Sequence, residues 1–159
     1  MSYFYLIAHF ALMLLWVLPA FYLNYRLLRN YPDGAPEEKL TLLKNVQSIS
    51  DKTELPASSF IFLIGVLMIL DNTFFLQMGI IHLKILLALI AIGLYHMSRG
   101  RLRRIIISME GGGFLGYGQG RQLIFFRVIT LVLIVSVVLL IFTLNGFFKT
   151  VYLIGSWIS

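Results

Sequence analysis

Four long apolar segments, at residues 3–25, 56–70, 80–97 and 123–144, constrain the fold of this chain more than any other feature. Segments of this kind are typical of transmembrane helices, which need about 20 mostly apolar residues to cross a bilayer. Only 13% of the residues are charged, about half the fraction of a typical soluble domain. The sequence therefore predicts an all-α integral membrane protein, a four-transmembrane-helix bundle in the lipid bilayer that forms one domain over residues 1–159.

The connection between the first and second segments contains a further helical pattern. Leu40, Leu43, Val46 and Ile49 recur at the spacing of one helix face, and charged residues lie on the other side. This predicts an amphipathic helix at the cytoplasmic membrane surface, leading into the second segment. Packing on the end of the bundle and binding of a partner are both open roles for it.

Basic residues are concentrated in two of the three connections. The first connection holds Arg26, Arg29, Lys39, Lys44 and Lys52, and the third holds Arg99, Arg101, Arg103, Arg104 and Arg121. The positive-inside rule then places both connections in the cytoplasm and both termini outside it, in the inner (plasma) membrane. The net charge of +6 is mostly this topology signal, so it does not indicate nucleic-acid binding.

The last part of the chain is too short to cross the membrane again. Asn145-Gly146 is a helix C-terminal signal that predicts the end of the fourth segment. Residues 147–158 are rich in aromatic side chains and predict an interfacial tail. Docking of this tail on a neighbouring subunit is an equal alternative.

Ionisable side chains at membrane depth are costly, and each is therefore a candidate functional residue. With no cysteine in the chain, thiolate metal sites and iron–sulfur clusters are excluded, and a metal must rely mainly on the three histidines. His9 lies roughly 9 Å into the first segment and His82 roughly 5 Å into the third, from the same side. Two imidazoles at matched depth on neighbouring helices fit bis-histidine ligation of a haem b.

Three other polar residues within the segments have open roles. Lys84 lies about 200° around the helix from His82. It is a candidate for an axial ligand of a haem or for binding a carboxylate of a haem or substrate. Alternatively, its side chain extends to the membrane surface without a chemical role. Asp71 is the candidate ion-pair partner. His96 shares a face with His82 but lies about 21 Å away near the arginines, which makes it a less favoured metal ligand. Arg127 lies one turn inside the fourth segment, where it snorkels or binds an anionic group.

Short motifs in the first three segments resemble the HemJ-type protoporphyrinogen oxidases, and in part the related CopD-like four-helix proteins. The first segment contributes His9, Trp16, Phe21-Tyr22-Leu23 and Arg26; the second contributes Pro56-Ala57 and Gly65; the third contributes His82, Leu83-Lys84, Tyr95-His96 and the basic patch. The resemblance covers about residues 5–104.

The resemblance implies a haem b held by His9 and oxidation of protoporphyrinogen IX, a porphyrin substrate, within the membrane. The site residues it implies are His9 and His82 as metal ligands, Trp16 and Arg26 as cofactor contacts, and Lys84 and Arg127 as catalytic residues. The fourth segment departs from the family, because Val128-Ile129-Thr130 stands after Arg127 in place of Asn-Glu-Pro.

Two other functions compete with this interpretation. The missing acidic motif, the aromatic tail and the amphipathic helix favour an accessory or structural subunit of a larger membrane redox or transport complex. A homodimer is a separate expectation for so small a bundle. Copper handling of the CopD type is a weaker alternative. It would use the histidines with Met13, Met68, Met78 and Met97 as soft ligands.

Overall fold

The computed structural model describes residues 3–31, 35–71, 73–112 and 117–158, with the side chains at 3, 6, 74, 75, 117 and 141–158 left out. The helices are α1 (Tyr3–Asn30), α2 (Pro36–Lys52), α3 (Glu54–Asp71), a short 3₁₀ helix (Thr73–Gln77), α4 (Gly79–Glu110) and α5 (Tyr117–Ile158). Within the described residues, four stretches are long and apolar enough to cross a membrane: Ile7–Asn30, Pro36–Asp71, Gly79–Glu110 and Gly118–Leu140. The predicted all-helical class, with four apolar helices that could cross a membrane, is thus confirmed.

A proline separates α2 from α3. Pro56 has no N–H to donate to the carbonyl of Lys52, so the hydrogen-bond ladder between the two helices is interrupted there. Thr53 lies at the break, and its N–H donates to the carbonyl of Ile49 at 3.0 Å. The second apolar helix therefore begins at Glu54, two residues before the predicted start, with Pro56 in its first turn.

The helix α2 forms where the first connection predicts one. Leu42, Leu43, Val46 and Ser50 are buried, and α2 packs against α1, α3 and α4. Its predicted place at a membrane surface is not tested by these contacts and stays a prediction.

Two helices continue beyond their predicted ends. The helix α4 has 32 residues, about 48 Å at 1.5 Å per residue, and ends at Glu110 instead of near residue 97. The arginines that follow residue 97 are good helix formers, so nothing local stops the helix there. The helix α5 continues through Asn145-Gly146, and the helix end predicted at that pair is wrong. Residues 147–158 continue the same helix, and their interfacial position stays a prediction.

The helices pack in antiparallel pairs around a core that occupies one half of the bundle. The helix α1 packs along α3 and contacts α5, and α4 packs along α5. We call the half where α1 ends and α3 begins the basic half, because the arginines of α1 and α4 lie there. Its core contains Leu23, Leu27, Leu43, Val46, Leu102, Ile105, Ile106 and Leu123. A second cluster, Trp16, Ala57, Ala91, Tyr95 and Ile134, lies next to it towards the middle of the bundle.

The other half of the bundle has no comparable core. Among the described side chains at 4–12, 59–71, 73–90 and 135–140, none is fully buried. We call this the open half. The described side chains of this half all keep some exposure, in contrast to the buried core of the basic half.

Candidate functional site

His9 lies in the open half, where α1 faces α3. The side chain is partly buried, and its Nδ1 is buried with no hydrogen-bond partner in the part of the chain that the structure describes. A Cβ atom at Gly65 of α3 would lie 3.7 Å from His9 Cε1, an ordinary van der Waals contact. The glycine thus leaves the imidazole directly beside the backbone of α3, and a long side chain at position 65 would occupy the space around the ring.

Lys84 approaches the same site from α4. It is partly buried, and it lies near enough to His9 for its charge to act on the imidazole. His82, two residues earlier, is exposed. Because positions 82 and 84 are about 200° apart on the helix, a Lys84 that faces His9 turns His82 away from it. The structure therefore places Lys84 within electrostatic reach of His9 and leaves His82 on an exposed face of α4.

The third histidine lies in the other half of the bundle, and two of the candidate methionines differ in burial. His96 is exposed in the basic half, where its ring meets that of Tyr95 edge-on at 5.4 Å. Met13 is buried and Met97 is exposed. Among the described residues, no group of three or more histidine, aspartate or glutamate side chains is placed to hold a metal ion.

Arg127 lies in a buried ion pair that sequence reasoning did not predict. Its Nη2 donates to both carboxylate oxygens of Glu54, at 3.0 and 3.1 Å, and the two side chains are only 3% and 1% exposed. Nε of Arg127 donates to Asn24 Oδ1 at 3.2 Å, and Asn24 Nδ2 donates back to the Arg127 carbonyl at 3.4 Å. The arginine thus joins α1, α3 and α5 in the interior.

Hydroxyl groups extend this ion pair to the remaining helices. The Ser50 hydroxyl of α2 donates to Glu54 Oε2, and it lies 3.0 Å from the Tyr95 hydroxyl of α4. The Tyr95 ring meets the Trp16 indole edge-on at 6.1 Å. We call Asn24, Ser50, Glu54, Tyr95 and Arg127 the polar network. One side chain from each of the five α-helices contributes to it.

This network changes the meaning of two predicted site residues. Arg127, predicted as catalytic, has its charge neutralised by Glu54, which favours a structural role. Trp16, predicted as a cofactor contact, packs in the apolar cluster beside Tyr95. Trp16 Nε1 and Arg127 Nη1 are buried donors with no acceptor among the described residues.

Signals for the missed residues were present in the sequence. An arginine inside an apolar segment requires a counter-ion, and Glu54 is an acid at the start of the second segment. Glu54 and Arg127 are 73 positions apart. Their pairing depends on how the helices pack, which a local sequence pattern does not encode.

Arg26 lies far from His9. The two are 17 positions apart on α1, about 25 Å along the helix axis. They therefore lie at opposite ends of a span and do not contact one ligand of porphyrin size. Arg26 instead lines a groove between α1 and α2.

The chain matches no protein-family model, and no curated protein and no solved structure is detectably similar to it. The resemblance drawn from short motifs therefore rests on those residues alone.

Proposed function

We propose that this chain is a haem b-binding, redox-linked membrane protein that resembles the HemJ-type oxidases. The observation that carries the proposal is His9: a partly buried imidazole beside a glycine, whose buried Nδ1 has no hydrogen-bond partner among the described residues, in a half of the bundle where no described side chain is fully buried. An imidazole among apolar helices is the usual protein ligand of haem iron. These residues fit such a group.

His9 would hold the group through its imidazole, and Gly65 would keep the space beside the imidazole open. Lys84 of α4 would either provide a second ligand or pair with a carboxylate of the group. The bound haem would supply one-electron redox chemistry. Apolar side chains of the open half would exclude water from the site.

The orientation and the substrate belong to the same proposal. Both termini lie outside the cytoplasm, and α2 lies on the cytoplasmic membrane surface as an amphipathic helix. The substrate implied by the resemblance is protoporphyrinogen IX. The sequence after Arg127 departs from the family pattern, and Arg127 itself is paired with Glu54. The chain could therefore bind haem without oxidase activity, so haem binding and oxidase activity are tested separately.

Reduced-minus-oxidised spectra of the detergent-purified protein test haem binding. We expect a Soret and an α band in the wild type and their loss in His9→Ala. The matched control is His96→Ala, which removes an exposed imidazole from the other half and keeps both bands. A wild-type protein expressed with adequate haem but lacking both bands would contradict the proposal.

Two further variants identify the second ligand. If Lys84 provides it, Lys84→Leu converts a low-spin spectrum to high-spin, whereas His82→Ala does not. If His82 provides it, as the matched depths predict, the results are reversed. Oxidation of protoporphyrinogen IX by the loaded protein, followed by porphyrin fluorescence, then tests the enzyme activity.

An accessory subunit is the second candidate, and the open half favours it. Side chains of this chain do not close that half, and a helix of a partner subunit would bury the same surfaces. Native-detergent sizing of the protein from its own membrane separates the two candidates. A small homo-oligomer that carries haem supports the first, and a larger complex with haem-free chain supports the second. No contact in the structure favours the copper alternative.

A further inference from the structure

A groove of about 690 Å³ lies between the end of α1 and the start of α2, in the basic half. Four charged side chains line it, Arg26 and Arg29 from α1 and Glu37 and Glu38 from α2. The amides of Asn30 and Asn45 are also in its wall. The groove is separate from His9, so its occupant does not depend on the haem proposal.

The two arginines and the two glutamates of this groove come from different helices, α1 and α2. Among the described residues, no ion pair joins either arginine to either glutamate. The ion pairs found there join other side chains. Glu38 accepts the Ala35 N–H at 3.1 Å and Glu37 remains exposed. Two cationic and two anionic groups thus remain available to one ligand.

The arginines are held at the level of an aromatic belt. The Arg29 guanidinium donates to the Tyr25 hydroxyl at 2.9 Å, and the Arg26 guanidinium lies 5.8 Å from the centre of the Tyr22 ring. Both rings are about half exposed. Tyrosines at the end of an apolar span mark the headgroup region of a bilayer. Each guanidinium carries five N–H donors and uses few of them here, so donors remain for a phosphate.

We propose that the groove binds the headgroup of a zwitterionic phospholipid with a primary amine, that is, a phosphoethanolamine lipid. Arg26 and Arg29 hold its phosphate, since guanidinium groups bind phosphate with two parallel hydrogen bonds. Glu37 and Glu38 hold its ammonium group. Phosphatidylglycerol offers the arginines the same phosphate, but its neutral glycerol leaves the glutamates without a cation. A choline headgroup has no N–H to donate to the carboxylates.

Native mass spectrometry of the delipidated full chain tests the proposal with vesicle-derived phosphatidylethanolamine, phosphatidylcholine and phosphatidylglycerol. We expect the wild type to bind phosphatidylethanolamine about tenfold more tightly than either of the others, the effect of one charge-assisted contact. Arg26→Gln/Arg29→Gln loses binding of all three lipids. Glu37→Gln/Glu38→Gln loses the preference and gains phosphatidylglycerol.

The control is Arg103→Gln/Arg104→Gln, which removes two exposed arginines of α4 outside the groove. It keeps the wild-type lipid preference. Equal binding of the three lipids by the wild type overturns the proposal, as does an equal loss in the control. Protection from heat by inorganic phosphate alone, to the same extent as by the lipid, also overturns it in favour of a simple anion site. Circular dichroism of each variant confirms the helical fold before binding is measured.

Discussion

At the scale of single residues, the ion pair between Glu54 and Arg127 is the strongest constraint on this bundle. A charge removed from water at this depth costs several kcal/mol unless a partner compensates it. The two contacts at 3.0 and 3.1 Å, with Ser50 and Asn24 as further partners, provide that compensation. Loss of one partner therefore costs far more than loss of both.

We expect Glu54→Gln to lower the free energy of unfolding by about 3–5 kcal/mol, because it leaves the Arg127 charge buried and unpaired. Unfolding in detergent by titration with a denaturing surfactant measures the change. The neutral double variant Glu54→Gln/Arg127→Gln recovers part of the loss.

Glu110→Gln is the control, since its pair with Lys44 is about half exposed and contributes at most about 1 kcal/mol. A loss as large in Glu110→Gln as in Glu54→Gln would show that charge in general, and not the buried pair, sets the stability.

The second residue-scale prediction concerns the space beside His9. Gly65→Ala places a Cβ at 3.7 Å from the imidazole and is expected to keep the haem bands of the wild type. Gly65→Leu fills the space around the ring and is expected to abolish them. Absorption spectra of the purified variants measure this.

Gly93→Leu serves as the matched control. A Cβ there meets no atom within 4 Å, so the bands should persist. Retention of haem by Gly65→Leu would remove Gly65 from the proposed site.

At the scale of elements, the sequence predicts the spans and fails at their ends. Mean hydropathy locates the apolar helices because burial in lipid requires a continuous apolar stretch. It does not locate the end of α4, whose arginine-rich extension remains helical in water. The helix does end where the chain reaches Gly111-Gly112, and Gly112 adopts the left-handed φ of 74° that a helix C-terminus favours. At Asn145-Gly146 the backbone remains helical, so glycine does not mark a helix end there.

For the candidate site as well, local sequence identifies the residues, whereas their arrangement depends on tertiary packing. His9, Lys84 and Arg127 were found because each is a costly residue type in an apolar segment. The predicted match in depth between His9 and His82 stays a prediction, and the rotation of α4 leaves His82 exposed and Lys84 partly buried. That rotation depends on packing between helices, which a single-helix pattern does not contain.

The approach of α5 to the end of α1 gives an element-scale prediction. Gly120 is buried and lies against the Tyr31 ring, so a Cβ at this position would overlap the ring atoms. We expect Gly120→Ala to lower the thermal unfolding temperature, because either the tyrosine or the start of α5 must move. Thermal unfolding followed by circular dichroism measures this.

Two variants make this prediction specific. Gly118→Ala, on the same helix, meets nothing within 4 Å and is expected to be neutral or to stabilise by up to about 1 kcal/mol through helix propensity. Tyr31→Ala in the Gly120→Ala background restores part of the stability. If both alanine variants behave alike, contact with Tyr31 does not determine the packing of α5.

At the scale of the whole molecule, the two halves of the bundle have different contents. The basic half contains the main apolar core and the polar network, whereas the open half contains His9 and Lys84 with no fully buried side chain among those described. A rigid half that fixes the helices next to a half that leaves space is a suitable arrangement for a ligand site. It also means that substitutions in the basic half should act on stability, and substitutions around His9 should act on binding.

The orientation of the molecule is the last prediction, and the chain is well suited to test it because it contains no cysteine. Single substitutions Ser2→Cys and Ser108→Cys introduce one thiol near the N-terminus and one on the exposed surface of α4 in the basic half. By the positive-inside rule, the excess of arginine and lysine in the first and third connections predicts that the basic half lies in the cytoplasm. In intact cells, we therefore expect a membrane-impermeant maleimide to label Ser2→Cys and not Ser108→Cys, and permeabilised cells to label both. The reverse pattern would invert the orientation and place the groove of Arg26 and Glu37 on the outer side of the membrane.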